Sequence, residues 1–252
     1  MGGPTATVFL TLLAAPFLGS FFALLADRLP RGEPVLFARS RCRDCEATLG
    51  VVDLVPILSW LARRGRCRRC GAIIPRETLA FELGALLLAL WAVSVFGTGW
   101  QVPLSLLLGL MLATLAAIDA RHMWLPDILT LPLLLAGLGM SLILPAADPL
   151  AHVLGAIVGY VLFAGLAAFY RRLRGREGLG LGDAKLFAAG GAWLGWQALP
   201  FVLLASSLAG LLLVLIQRLK GHVLRADDAL PFGPFLAFGI WLVWLYGAQI
   251  IR

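Results

Sequence analysis

The sequence predicts an all-α polytopic membrane protein of about eight transmembrane helices, with a cytoplasmic four-cysteine loop domain between the first and second. Three observations predict it: an oily composition, long stretches without charge, and basic residues confined to alternate loops. Of 252 residues, 60% are hydrophobic and only 14% are charged, against about 25% charged in ordinary soluble domains. Mean hydropathy is +0.91. The formal net charge is nevertheless +7.

Residues 1–26, 83–118, 128–147, 149–170, 186–217 and 229–251 contain no Asp, Glu, Lys or Arg. A helix needs about 20 apolar residues to cross roughly 30 Å of hydrocarbon, and each stretch is long enough. Residues 1–26 read as a retained first helix. A signal peptide wants a basic n-region and a shorter apolar core, whereas the first basic residue here is Arg28. Residues 83–118 and 186–217 are too long for one crossing. Each carries a breaker, Gly97-Thr98-Gly99-Trp100-Gln101-Val102-Pro103 and Gly195-Trp196-Gln197-Ala198-Leu199-Pro200. Gly and Pro interrupt helices and Trp favours the membrane interface, so each stretch divides in two and eight spans result. The eight tryptophans read as interface anchors.

Parity then puts loops 27–82, 119–127, 171–185 and 218–228 on one side, with 20 of the 21 basic residues; only Arg252 lies opposite. Cytoplasmic loops are the ones enriched in Lys and Arg, so this face is cytoplasmic and both termini point outward. The positive excess is thus an orientation signal with access to anionic lipid heads, and nucleic acid is not an expected partner. The chain divides into a first helix (1–26), a cysteine loop domain (27–82) and a seven-helix membrane domain (83–252).

All four cysteines lie in that first loop, as Cys42-Arg43-Asp44-Cys45 and Cys67-Arg68-Arg69-Cys70. Two CxxC knuckles at this separation suit a tetrahedral four-thiolate zinc site, structural because four protein ligands leave no open position. Arg41, Arg43, Arg66, Arg68 and Arg69 favour the thiolate form, and Gly71 suits a tight metal-binding turn. Two disulfides are the alternative, disfavoured in a reducing compartment; four unliganded thiols are another.

The remaining chemistry lies in carboxylates at the cytoplasmic membrane edge: Asp119, Asp127 and Asp183. Acidic groups there are costly and are functional candidates by default. Asp127 follows Pro126 and Asp183 precedes an apolar run, so either can be a helix N-cap. Asp119 ends a helix, where negative charge opposes the dipole, which argues for more than a structural part. Gly178, Gly180 and Gly182 before Asp183 imply a close or sharply bent backbone; they lack the strand–turn–helix setting of a dinucleotide loop. Two facing aspartates can share a proton, one serving as base and the other as acid. A carrier using Asp119 and Asp183 as a proton or cation relay is the rival reading, although carriers place such groups nearer the bilayer midplane. A non-catalytic assembly protein recruiting partners through the zinc module is a third. Gly155 with Gly159 and Gly191 with Gly195 fit close helix packing. His122, His152 and His222 form no cluster.

These residues resemble the type IV prepilin peptidases, bifunctional leader peptidase/N-methyltransferases of bacterial type IV pilus and type II secretion systems. The resemblance runs through Gly19-Ser20-Phe21, Arg28-Leu29-Pro30, the paired CxxC, Ser59-Trp60-Leu61, Ile118-Asp119 and Leu125-Pro126-Asp127. It continues through Gly175–Asp183 with Lys185-Leu186, and ends in Pro231-Phe232-Gly233-Pro234-Phe235-Leu236-Ala237. It implies a GxGD-type membrane aspartic peptidase of the bacterial inner membrane, with Asp119 and Asp183 catalytic and Gly180, Gly182, Lys185 and Asp127 supporting the catalytic loop. It implies zinc on Cys42, Cys45, Cys67 and Cys70. The implied substrates are prepilins and pseudopilins, cut at the cytoplasmic face after the glycine ending a short basic leader. The new N-terminal residue is then methylated from S-adenosylmethionine, for which the chain carries no recognisable binding motif.

Overall fold

The breakers at Gly97 and Gly195 both act as expected. In a computed structural model of the chain, which describes residues 3–35, 39–144, 148–175, 180–221 and 230–250, helix α3 (Arg76–Phe96) stops at Gly97. Helix α4 (Gln101–His122) begins four residues later. Helix α7 (Leu181–Leu194) stops at Gly195, and a 3₁₀ turn at Trp196–Ala198 leads into α8 (Leu199–Leu219). Gly97 and Gly195 have φ of +62° and +82°, which a side chain would strain. The other helices are α1 (Pro4–Arg28), the short α2 (Leu58–Ala62), α5 (Asp127–Ile143), α6 (Pro149–Arg174) and α9 (Gly233–Ile250). No strand occurs among the described residues.

Among the described residues, five helices are long and apolar enough to cross a membrane: α1, α3, α4, α6 and α8. The α5 and α9 segments are shorter apolar helices. With 14 residues, α7 reaches only about 21 Å at the standard helical rise. The chain forms two compact units, Met1–Leu110 and Met111–Arg252, with the boundary inside α4.

In the first unit α1 packs along α3 through small residues. Glu82, Ala85, Ala89 and Ala92 form the buried ridge of α3, and Ala15, Ala23 and Ala26 are buried on α1. A Cβ on Gly19 would stand 2.6 Å from the Phe81 carbonyl oxygen, so the helices meet backbone to backbone there. Small residues permit this approach between apolar helices that gain nothing from expelling water.

The second unit is built around α7, which contacts α5, α6, α8 and α9; ten of its residues, from Asp183 to Trp193, are buried. Gly155 of α6 abuts Gly191 of α7, and Gly159 faces Phe187, which realises the packing expected of both glycine pairs. Gly137 of α5 lies against Ala192 and Trp193, and Gly190 against Ile240 of α9. His152 donates through Nδ1 to the Ala192 carbonyl at 2.9 Å, satisfying a carbonyl in the last turn of α7. The tryptophan expectation needs correcting: Trp193 and Trp241 are buried core residues. The Trp193 indole donates to the Leu133 carbonyl at 2.8 Å and packs edge-on against Trp244. Trp100, Trp124 and Trp196, near helix ends, are exposed.

Candidate functional site

Asp119 sits in the last turn of α4, 6% exposed. Its Oδ2 accepts the Gly233 N–H at 2.9 Å, from the first residue of α9. A helix N-terminus presents free N–H groups and a positive dipole end, so α9 is aimed at this carboxylate. A Cβ at residue 233 would lie 2.6 Å from Oδ2, so only glycine leaves room for the bond.

Asp183 occupies the third position of α7 and is 8% exposed. The N-cap is Gly180, so Asp183 is not the cap. The Gly180 N–H faces its carboxylate, an arrangement like half of a capping box. A Cβ on Gly182 would press on Leu125 at 3.0 Å, which accounts for the small residue before the aspartate. Asp119 is the charged group that acts on Asp183 through space. Both carboxylates are buried in the second unit, close enough to act on one another electrostatically.

Asp127 and Lys185 lie outside that pair. Pro126 is the N-cap of α5 and Asp127 the first helical residue, which replaces the N-cap reading. Its Oδ1 accepts from Lys185 Nζ at 2.6 Å, tying the start of α5 to the start of α7. Lysine in the first turns of a helix is disfavoured by the dipole, and this partner offsets it. Residues 176–179, which include Gly178, lie outside the described residues, as does His222.

The four cysteines converge in the first unit. Their Sγ atoms all lie within 4.8 Å of one another, and Cys42 and Cys70 are 3.7 Å apart. Tetrahedral Zn–S bonds of about 2.3 Å put neighbouring sulfurs about 3.8 Å apart, so the set fits a zinc ion. All four are free thiols, and the disulfide alternative is not adopted. The two knuckles repeat the same construction. Cys42 N–H donates to Ala47 O at 2.9 Å and Cys67 N–H to Ala72 O at 2.8 Å. Arg41 bridges to Thr48 as Arg66 bridges to Ile73. The tight turn expected at Gly71 has φ +74°, and Glu46 fills the matching place at +52°. The N–H groups of Cys70 and Arg69 hold the Cys67 thiol down at about 6. Backbone donors do this, rather than the expected arginine side chains. Against the lowering by Ala72 N–H, desolvation and the neighbouring thiols push Cys70 up to about 12.

Two participants have no forecast in the sequence reading. Gly233 was visible only as part of a motif, although Gly-Pro opening an apolar run marks a helix start. The other is Glu82, 5% exposed, whose Oε2 accepts the Ile57 N–H at 2.6 Å.

Residues 106–215 match the type IV leader peptidase family, and residues 13–96 match the bacterial peptidase A24 N-terminal domain. The chain is 41% identical over 219 residues to a prepilin leader peptidase/N-methyltransferase of Aeromonas hydrophila, covering 86% of this chain and 75% of the relative. A protein of the same name from Burkholderia pseudomallei is 42% identical over 84% of this chain and 69% of its own. Another from Stutzerimonas stutzeri is 34% identical over 98% of this chain and 93% of its own. No solved structure matches the chain. With its aspartates inside the first matched region and its cysteines inside the second, the chain belongs to the type IV leader peptidase family.

Proposed function

We propose that this protein is a membrane aspartic endopeptidase that removes the short basic leader of type IV prepilins and pseudopilins after a glycine, and N-methylates the new terminus. The observation that carries the peptidase reading is that Asp119 and Asp183 are both buried and act on one another electrostatically, in a chain whose relatives bear the peptidase name. Like charges this close do not both ionise cheaply, so the pair holds one proton. The ionised carboxylate takes a proton from water as the water oxygen bonds to the scissile carbonyl carbon. The C–N bond then breaks as a carboxyl proton passes to the leaving amine. The Gly233 N–H fixes Asp119 for this work, and the Lys185–Asp127 pair fixes the start of α7 beside Asp183.

The eight-span topology, the cytoplasmic placement of both sites in the inner membrane and the outward termini belong to the same reading. So does the division into a cysteine module (27–82) and a catalytic membrane domain (83–252). Zinc on Cys42, Cys45, Cys67 and Cys70 supplies a structural staple for a loop with little core of its own. Methylation rests on the relatives' printed names, with S-adenosylmethionine as the donor. The test is cleavage of a purified prepilin in lipid vesicles by wild type, Asp119→Asn and Asp183→Asn. Wild type cleaves and both variants lose at least about a thousandfold, the scale of losing an essential acid or base. A wild type that fails to cleave, or two active variants, ends the proposal.

A further inference from the structure

The Glu82–Ile57 bond fixes how deep the cysteine loop reaches. Glu82 stands six residues beyond Arg76, the first residue of α3, which is about 9 Å along the helix. Gly19, which touches Glu82 from α1, stands nine residues before Arg28, the last residue of α1, or about 13 Å. Both rulers put the carboxylate more than a turn inside two helices that are long and apolar enough to cross a membrane, and away from their charged ends. The Ile57 N–H therefore descends with it. Ile57 has φ +63°, a genuine outlier for a β-branched residue, and the buried carboxylate is what holds that bend in place.

On either side of the bend, apolar side chains face outward. Val51, Val52 and Leu54 lie on the 3₁₀ turn Val51–Leu54, and Leu58 and Leu61 on α2. Val51 is 84% and Leu58 67% exposed. The chain that follows carries exposed Arg64, Arg66, Arg68 and Arg69. Exposed apolar clusters of this kind mark an interaction site. Short amphipathic elements flanked by arginine sit with their apolar face about 5–10 Å into the headgroup and acyl boundary.

We infer that residues 51–62 form a membrane-interfacial element, inserted into the same leaflet that α1 leaves and α3 re-enters, with the following arginines on anionic lipid headgroups. The occupant is lipid because the anchor lies inside two helices long and apolar enough to cross a membrane and the flanking charge is complementary to anionic heads. This inference does not depend on the peptidase or methyltransferase reading.

The test uses the full chain in phosphatidylglycerol-containing vesicles, with a fluorescent amino acid replacing Val52 or, separately, Leu58. Nitroxides on lipid chains near the carbonyl end should quench both probes several-fold more than nitroxides near the methyl end or aqueous iodide. Probes quenched by iodide and untouched by lipid nitroxides overturn the inference. Shielding that appears only on adding prepilin overturns it in favour of substrate. Shielding that rises with the protein-to-lipid ratio overturns it in favour of a second copy of the chain.

Discussion

Gly233→Ala separates helix stability from catalysis. Gly233 opens α9 without a left-handed φ, so alanine is conformationally allowed there. Helix propensity alone predicts stabilisation, by up to about 1 kcal/mol. Geometry predicts damage. The new Cβ would lie 2.6 Å from Asp119 Oδ2, 2.9 Å from Cγ and 3.1 Å from Cβ, where ordinary contact begins at 3.4 Å. The carboxylate must retreat by roughly 0.8 Å, and misplacement on the 1 Å scale costs about a hundredfold in rate. The hydrogen bond at 2.9 Å is strained or lost as well; bonds to charged groups contribute about 1.5–3 kcal/mol. The assay is kcat/KM for prepilin cleavage in vesicles, beside thermal unfolding of the same preparation. The expected result is a loss of about a hundredfold with stability changed by less than about 2 kcal/mol. A variant within about twofold of wild type in kcat/KM refutes the role given to this bond.

Lys185→Met removes a partly exposed ion pair with Asp127 and should cost under about 1 kcal/mol of stability. Cleavage should nevertheless fall at least about tenfold if the pair sets the start of α7; equal activity refutes that. Gly191→Leu drives a side chain into the Gly155 backbone and should destabilise the second unit by more than the about 1–3 kcal/mol of ordinary overpacking, read as a lowered Tm. An unchanged Tm would show that α6 and α7 are not in backbone contact. In metal-free protein, Cys67, held at about 6, has its thiolate above that pH and loses it on acidification. Cys70, at about 12, remains a thiol at neutrality. Alkylation of the metal-free protein should therefore show thiolate reactivity in the cluster well below the ordinary cysteine range, and reactivity that appears only above about pH 8.5 contradicts the assignment. Cys67→Ser with Cys70→Ser should abolish zinc retention, measured as metal content, and retained metal refutes the four-thiolate site.

The helices were legible wherever a breaker was local. Gly97 and Gly195 announce their ends because left-handed backbone is a property of the residue itself. Pairwise glycines were legible as packing faces but not as partners: nothing in the sequence says that Gly155 meets Gly191 rather than another helix. Asp119 and Asp183 stood out through their cost at a membrane edge, whereas Gly233 acts across 114 positions of chain and has no local signature. Glu82 was hidden by the counting rule. A charge-free stretch begins at residue 83, so Glu82 counted as the end of a polar loop. The helix begins at Arg76, which puts that carboxylate inside an apolar span. Trp193 and Trp241 were misplaced for the reverse reason, because an average preference for interfaces yields to a satisfied indole in a packed core.

The brevity of α7 bears on how the protein is made. At 14 residues, this segment is short of the about 20 apolar residues that a crossing needs, and it carries Asp183 and Lys185 in its first turns, so it is a poor candidate to enter a bilayer by itself. Its neighbours α6 and α8 are long and apolar enough to cross unaided. Such a helix is expected to settle only when its flanking helices offer it glycine faces to pack on. A chain arrested before α8 emerges should leave α7 exposed to water-soluble reagents, and its protection should arrive only with the helices that enclose it.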